Sequence, residues 1–328
     1  MLTSVIQLIR GSVATAVLVL NTALWGTLIF LLGLVKLLVP LALVSHALHG
    51  FYKCWCRGNC FALKLSGVQF STDIAPQVNE QGWYLLVANH ISWLDIIVLT
   101  AIDALPAPKF FLKDELKYVP LIGSGAWALG MPFMKRASKA QIAKNPKLKG
   151  MDVARTQKSC KNFKHHPTTV INFAEGTRFT PRKHSKQNSP FKNLLKPKAG
   201  GTAFALQVLA EQLDGLISTT LVYHSDSQKI FQSFMLGKLA TIDVKLDFVP
   251  LAKVPQGDYQ QDKAYRVTFQ QYLNAQWQHK DTLIDTAEKT KRTTIDRKEE
   301  HAATFAYALC VDAARAKKAG VPKPPCAE

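Results

Sequence analysis

The sequence predicts an α/β protein with a mixed, mostly parallel sheet flanked by helices, and with an N-terminal apolar membrane helix or helical hairpin. Two patterns indicate this fold class. Short apolar runs rich in β-branched residues alternate with segments of helical periodicity between residues 83 and 279. Before them, residues 11–35 contain no charge, and ~20 apolar residues are enough for a helix to cross the hydrocarbon core.

The composition of each run predicts where the elements fall. Strands are bounded by glycine, proline and polar turn residues, and helices show apolar residues at intervals of three and four. We expect strands at 83–89, 109–113, 131–135, 168–174, 217–223 and 240–249. We expect helices at 91–104, 151–165, 201–213, 263–279 and 302–318, with a polar linker or solvated helix at 280–300.

Three regions follow from this pattern: a membrane-anchoring segment (1–50), an α/β domain (51–280) and a polar linker with a helical tail (281–328). A cleaved signal peptide is disfavoured, because the apolar run is too long and no small-residue cleavage site follows it. A single crossing and a hairpin that turns between Lys36 and Pro40 both fit, because proline lacks a backbone donor and ends or kinks a helix.

The distribution of charge predicts on which side of the membrane the α/β domain lies and what kind of partner it binds. The chain has 41 basic and 23 acidic residues, a net charge of +18. Only Arg10 precedes the apolar run, whereas Lys53, Arg57 and the basic domain follow it, so the domain is expected on the cytoplasmic face of the inner membrane. Such a surface attracts phosphate. Because no nucleic-acid-binding motif accompanies it, we expect membrane phospholipid rather than nucleic acid as the partner.

The cysteines argue for a reducing compartment and against a metal centre. Six cysteines in a chain of 328 residues form no disulfide-like framework. Cys54, Cys56 and Cys60 have the spacing C-x-C-x3-C, but no second pair of ligands follows at a matching interval. We therefore predict neither a metal nor a cofactor. No feature of the sequence predicts an oligomeric state.

The candidate catalytic residues lie where the first predicted strand gives way to a helix. Ser92 and Asp95 have the spacing of a capping box, which places Asp95 in the first helical turn. The helix N-terminus stabilises a carboxylate there. Asp95 can then reach back to His90 and hold one imidazole nitrogen, which leaves the other free to accept a proton. A helix cap beside an unrelated histidine is the alternative interpretation.

Basic residues follow other predicted strands. Arg178 ends the segment Phe173-Ala174-Glu175-Gly176-Thr177-Arg178, and Arg136 follows the strand at 131–135. Lys113 ends the strand at 109–113. Because ligands of α/β sheets bind at the carboxyl ends of strands, these groups are expected to face one crevice. The planar guanidinium of arginine suits phosphate.

These motifs, in this order, resemble those of the glycerolipid acyltransferase family, which includes bacterial 1-acyl-sn-glycerol-3-phosphate acyltransferases of the PlsC type. The resemblance covers residues 83–223 and rests on His90-x4-Asp95 followed by the Glu-Gly-Thr-Arg block. It implies that His90 is the general base and Asp95 its orienting acid. It implies an oxyanion site at Lys113 or nearby N–H groups, and an acceptor-phosphate site formed by Arg136, Glu175, Gly176, Thr177 and Arg178.

The function expected from this resemblance is O-acyl transfer from acyl-CoA or acyl-carrier protein to lysophosphatidic acid or a related lysophospholipid. Glycerol-3-phosphate and an amino-lipid are alternative acceptors. A non-catalytic membrane protein that binds anionic lipid is the alternative of a different class. Within the leading hypothesis, Glu175 is expected to orient the arginines or an acceptor hydroxyl, because a carboxylate repels phosphate.

Overall fold

The structure of the protein is a computed structural model that describes residues 2–38, 42–134, 163, 166–225, 227 and 229–318. Its helices are α1 (Leu2–Leu38), α2 (Ala42–Leu65), α3 (Leu94–Thr100), α4 (Ile122–Ala128), α5 (Pro181–Gln187), α6 (Ala199–Leu209), α7 (Ile230–Met235) and α8 (Lys263–Lys318). Its strands are β1 (Gln69–Ile74), β2 (Trp83–Ala88), β3 (Pro108–Phe110), β4 (Leu112–Lys113), β5 (Phe133–Met134), β6 (Thr168–Phe173), β7 (Gly215–His224) and β8 (Thr241–Pro250).

Six of these strands form one sheet in the order β1-β8-β7-β2-β6-β3. Every neighbouring pair is parallel except β7 with β8, so the predicted mixed, mostly parallel sheet is confirmed. The strands β2, β6 and β7 therefore end on the same edge of the sheet. Side chains that follow these three strands meet at that edge, as expected for ligand sites in sheets of this kind.

The segment at 109–113 is two strands rather than the predicted single strand. β3 pairs with β6 in the large sheet, whereas β4 pairs with β5 in a separate two-stranded sheet. β5 is also shorter than predicted. This second sheet brings the backbone of Lys113 opposite that of Met134, which joins two of the motifs that the sequence analysis singled out.

The helical tail is continuous. One helix, α8, runs from Lys263 to Lys318, so residues 280–300 are helical, which was one of the two alternatives predicted for them, and are not a linker. A polar composition indicates solvent exposure and not a helix end when no glycine or proline interrupts it. By packing, the chain divides into a unit of residues 1–281 and a unit of residues 282–328. The predicted helix at 151–165 lies, apart from residue 163, outside the described residues.

Helices α1 and α2 form an antiparallel pair. The side chain of Asn21 on α1 donates hydrogen bonds to the carbonyl of Trp55 and to Oδ1 of Asn59 on α2. Asn59 in turn donates to Thr100 Oγ1 at the end of α3. This buried polar network connects the N-terminal pair to the element that carries Asp95.

Helix α1 packs on the rest of the protein along much of its length. A side chain at Gly11 would overlap the backbone of Met235 and Gly237, next to α7. One at Gly33 would overlap Ala128 at the end of α4. These two contacts are about 33 Å apart along the helix axis. One face of α1 is therefore covered by protein at both ends, while large apolar residues on the other face are exposed.

Candidate active site

The Asn89 side chain positions His90, because it continues the hydrogen bonding of the sheet beyond the end of β2. Asn89 follows β2, is fully buried, donates to the carbonyl of Leu221 at 3.0 Å and accepts from the Leu221 N–H at 2.9 Å. These two bonds act as one further rung between β2 and β7. The residue that follows, His90, is thereby held at the carboxyl edge of the sheet.

His90 and Asp95 are in direct contact. The His90 Nδ1 lies 2.7 Å from Oδ2 of Asp95, and the Asp95 side chain has no exposed surface. Because a carboxylate only accepts hydrogen bonds, this contact assigns the ring proton to Nδ1. The other nitrogen, Nε2, remains available as a proton acceptor on a side chain that is 16% exposed.

The capping box expected at Ser92 is formed in part, and Asp95 lies in the first helical turn as predicted. Helix α3 begins at Leu94, whose N–H donates to Ser92 Oγ at 3.2 Å. Oδ2 of Asp95 accepts the backbone N–H groups of Ile91 at 2.7 Å and Ser92 at 3.0 Å, and the second of these is the return bond of a capping box. Asp95 thus holds residues 91 and 92 outside the helix, and the same carboxylate oxygen binds the imidazole.

Tyr223 is a further site residue that the sequence analysis did not identify. Its hydroxyl donates to Oδ1 of Asp95 at 2.7 Å from the end of β7. Burial raises the pKa of Tyr223 well above its usual value, and the neighbouring Asp95 raises it further, so the phenol stays protonated. Asp95 therefore has donors on both oxygens, and its side chain cannot rotate without breaking these bonds.

Aromatic residues support the other side of the imidazole. The ring of Phe173, at the end of β6, stacks on His90 with centroids 4.0 Å apart and an interplanar angle of 16°. Phe110, at the end of β3, lies behind Phe173 at 6.4 Å. Asp95 restrains the ring within its plane and Phe173 restrains its tilt, which together orient Nε2.

The Glu-Gly-Thr-Arg loop contacts the same histidine. The N–H of Phe179 donates to the carbonyl of His90 at 2.7 Å. Gly176 has φ of 68°, a left-handed conformation that glycine adopts at little cost. Its N–H bonds to the carbonyl of Phe173, which closes a tight turn at the end of β6. The loop is thereby joined to the backbone that carries the imidazole.

Cations surround this loop. The guanidinium carbon of Arg178 lies 4.7 Å from the centre of the Trp93 ring, in cation–π geometry. Lys183 Nζ donates to Thr177 Oγ1 at 2.7 Å and to the carbonyl of Arg178 at 3.0 Å. Lys198 Nζ lies beside Gly176, 3.4 Å from where a Cβ would stand. The exposed side of the loop is therefore suited to a phosphate group.

Glu175 is directed into the protein and does not face this cationic surface. It is fully buried, and neither carboxyl oxygen makes a hydrogen bond of normal geometry. Burial raises its pKa to about 8, although the His90 and Leu195 N–H groups and the Trp277 indole act in the opposite direction. Glu175 therefore makes no hydrogen bond to Arg178, and its predicted role in orienting Arg136 or an acceptor hydroxyl stays a prediction.

Replacing Glu175 by Gln is expected to increase stability at pH 8. A carboxyl whose pKa is raised on folding takes up a proton, so folding becomes less favourable as pH rises from 4.5 to 8. The unfolding free energy of Glu175→Gln minus that of the wild type should therefore increase by roughly 2–4 kcal/mol from pH 5 to pH 8. Denaturant unfolding in detergent at both pH values measures this difference. A pH-independent difference would contradict it.

The remaining predicted site residues are less completely placed. The backbone of Lys113 lies in β4, and Arg136 lies outside the described residues. Among the described residues, no group of His, Cys, Asp and Glu is arranged to hold a metal ion.

The site has the parts of a general-base enzyme that acts on an anionic substrate: an oriented imidazole with a free nitrogen, and a cationic loop joined to it. The acyltransferase family model matches residues 70–231, a range that contains all of these parts. The chain belongs to the glycerolipid acyltransferase family. The identification made from the motifs is confirmed, and its bacterial branch stays a prediction.

Known relatives differ in the acceptor that their names specify. The chain is 24% identical to mouse 1-acyl-sn-glycerol-3-phosphate acyltransferase epsilon, over 69% of this chain and 64% of that protein. It is 33% identical to a lyso-ornithine lipid O-acyltransferase of Rhodobacter capsulatus, over 35% of this chain and 42% of that protein. The chain therefore spans less than two thirds of the length of each of these relatives.

The crystal structure of the 1-acyl-sn-glycerophosphate acyltransferase PlsC from Thermotoga maritima aligns with a TM-score of 0.45 and 13% identity, covering 80% of this chain and 98% of that one.

Proposed function

We propose that the protein transfers a fatty acyl group from acyl-CoA or acyl-carrier protein to the free hydroxyl of lysophosphatidic acid or a related lysophospholipid. The observation that carries this proposal is the free Nε2 of His90 beside the cationic loop of Arg178. Such a base acts on a hydroxyl, and such a loop binds a phosphate on the same acceptor. Family membership supplies the acyl chemistry.

In the first step, His90 Nε2 accepts the proton of the acceptor hydroxyl as the oxygen attacks the thioester carbonyl carbon. A C–O bond forms and the carbonyl oxygen becomes an oxyanion. The imidazolium that results is stabilised by Asp95, whose oxygens already accept bonds from His90, Tyr223 and two backbone amides. Lys113 or nearby backbone N–H groups are proposed to stabilise the oxyanion.

In the second step, the tetrahedral intermediate collapses and the C–S bond breaks. His90 returns its proton to the leaving thiolate, so the products are an ester and a free thiol and the base is regenerated. No acyl-enzyme is formed in this route, because the acceptor oxygen attacks the thioester directly. Neither step requires a metal or a redox cofactor.

The acceptor phosphate is assigned to the exposed side of the Glu-Gly-Thr-Arg loop. Arg178 supplies a planar pair of donors, and Gly176 and Thr177 shape the loop beneath it. Lys183 and Lys198 add positive charge on either side. Arg136 is proposed to belong to the same site. Glu175 contributes from below by packing under the loop rather than by contact with phosphate.

Replacing Arg178 by Gln should raise the KM for a phosphate-bearing acceptor by about tenfold or more, since a charge-assisted pair is lost. The KM for the thioester should change much less. Steady-state kinetics with each substrate varied in turn measure both values. Arg266→Gln makes the same change at an exposed arginine on α8 and should leave both KM values unchanged. Equal effects of the two variants would contradict the assignment.

An amino-lipid acceptor is the second candidate, and the relative named for a lyso-ornithine lipid favours it. A zwitterionic or amine-bearing headgroup would gain less from Arg178, Lys183 and Lys198 than a phosphate does. A panel of lysophosphatidic acid, glycerol-3-phosphate and lyso-amino-lipid acceptors separates these alternatives by kcat/KM. A protein that only binds lipid would consume no thioester with any of them.

The membrane attachment is proposed to be in the plane of the surface, on the cytoplasmic face of the inner membrane. Helix α1 is long and apolar enough to cross a membrane. However, α7 and α4 cover one face of it at points about 33 Å apart, so a perpendicular crossing would place these two helices near opposite surfaces of the hydrocarbon core, which is about 30 Å thick, although both belong to one packed unit. Exposed apolar residues on those helices, including Phe231 and Trp127, continue the apolar face of α1.

Spin labels on the exposed face of α1 test this placement. Labels at Ile6, Leu20 and Leu34 are expected to lie at similar shallow depths, roughly 5–10 Å, in vesicles of anionic phospholipid. Accessibility to oxygen and to a water-soluble relaxation agent gives the depth of each label. A label at Leu20 in the bilayer centre, with the other two near opposite surfaces, would show a crossing instead.

A further inference from the structure

A cavity lies between the α1–α2 pair, the C-terminal end of α4, β3 and the residues that precede β6. Its volume is about 420 Å³, and its lining includes none of the proposed catalytic or acceptor-binding side chains that the structure describes. Among the described residues of its lining, the charged or titratable side chains other than Tyr52 are all basic: Lys36, His46, His49, Lys109 and His166.

The three histidines are packed together. The rings of His49 and His166 are stacked with centroids 4.8 Å apart and an interplanar angle of 16°. The ring of His46 meets His166 edge-on at 4.8 Å. His46 Nδ1 lies 2.9 Å from the carbonyl of Ala42, so that nitrogen carries the proton and Nε2 is not used in this bond. The nitrogen lone pairs of two stacked rings do not point to one position between them, which argues against a shared metal ion.

Positive charge surrounds His49 from several elements. Burial, and to a smaller extent the charges of His166, Lys53, Lys109 and His46, together lower its pKa to about 4. Lys36 lines the cavity from α1, and the lining residues from the end of α4, Ala128, Leu129 and Gly130, carry no charge. An anion in the cavity would offset this repulsion and allow the imidazole to protonate and donate a hydrogen bond.

We infer that this cavity binds a phosphate group, at a site separate from the proposed acceptor site. Lysine and protonated histidine are charge-assisted donors for phosphate oxygens, and the cavity gathers both types without an acidic side chain in its described lining. One wall of the cavity is formed by α1, whose other face is apolar and exposed, and by α2. The phosphate comes either from the headgroup of a membrane lipid or from a soluble phosphate compound.

The test measures binding to the full-length protein in neutral detergent, in an Arg178→Gln background that weakens the proposed acceptor site. Sulfate is the first ligand, because its charge does not change between pH 5 and 8. Its affinity should rise about tenfold or more as pH falls from 8 to 5, since binding favours protonated His49. Short-chain phosphatidic acid and inorganic phosphate, compared at one pH, distinguish the two sources.

His49→Gln should reduce sulfate affinity about tenfold and flatten its pH dependence. His279→Gln, the same change at an exposed histidine on α8, should do neither. Unchanged sulfate binding in His49→Gln, or equal effects of both variants, would overturn the inference. Tighter binding of phosphatidic acid than of phosphate would identify a lipid headgroup, and the reverse a soluble compound. Because the readout is binding and not turnover, the result is independent of the proposed acyl transfer.

Discussion

Replacing His90 by Ala should lower kcat for acyl transfer by about 10³-fold, the largest loss expected from any single change in the site. Asp95 binds Nδ1 of the imidazole and Phe173 stacks on the ring, so Nε2 is the nitrogen that remains free to act as the base. Removing the imidazole eliminates this base and leaves the substrate sites in place. Rates of thioester consumption at saturating substrate, in detergent, measure the effect.

The fold should tolerate this change. His90 is partly exposed, and the hydrogen bonds that position the loop, from the Asn89 side chain and the Phe179 N–H, do not involve the imidazole. The thermal unfolding temperature of His90→Ala should therefore stay within a few degrees of wild type. A variant that unfolds normally and retains more than about a tenth of the wild-type rate would contradict the assigned role of His90.

Asp95→Asn is expected to lower kcat by about 10²-fold through loss of charge rather than loss of geometry. The amide oxygen should occupy the position of Oδ2, because three N–H donors converge there, from His90, Ile91 and Ser92. The amide NH₂ can then face the Tyr223 oxygen. The imidazole keeps its orientation, but the imidazolium formed during the reaction no longer has a carboxylate beside it.

Tyr223→Phe is the matched comparison for Asp95→Asn. It removes one hydrogen bond to Oδ1 and leaves the negative charge and the His90 contact in place. A single hydrogen bond of this kind contributes about 1 kcal/mol, so a loss of about fivefold in kcat is expected. If Tyr223→Phe were as damaging as Asp95→Asn, charge stabilisation by Asp95 would not be the dominant contribution.

The sheet and the His90–Asp95 contact could be predicted because their signals are local. β2, β6 and β7 are buried apolar runs, and the histidine and aspartate are five residues apart on a strand-to-helix junction. β1 was missed because its sequence, QFSTDI, is polar and mostly exposed at the edge of the sheet. Helices α5 and α7 are too short to show a clear period.

Two features of the site depend on tertiary packing and have no local signal. Tyr223 is 128 residues from Asp95 in sequence, and only the parallel pairing of β2 with β7 brings them together. The inward direction of Glu175 depends on Leu195 and Trp277, which come from segments far along the chain. From the sequence, a glutamate beside Thr177 and Arg178 is expected at the surface, because burying a carboxyl group is costly.

The most direct test of the account is the stoichiometry of acyl transfer. Full-length protein in detergent is supplied with an acyl-CoA and lysophosphatidic acid, and free thiol and phosphatidic acid are quantified together by absorbance and mass spectrometry. The account predicts one phosphatidic acid for each thiol released by the wild-type protein, and almost none of either with His90→Ala. Thiol release without acylated lipid, or equal rates for the two proteins, would contradict it.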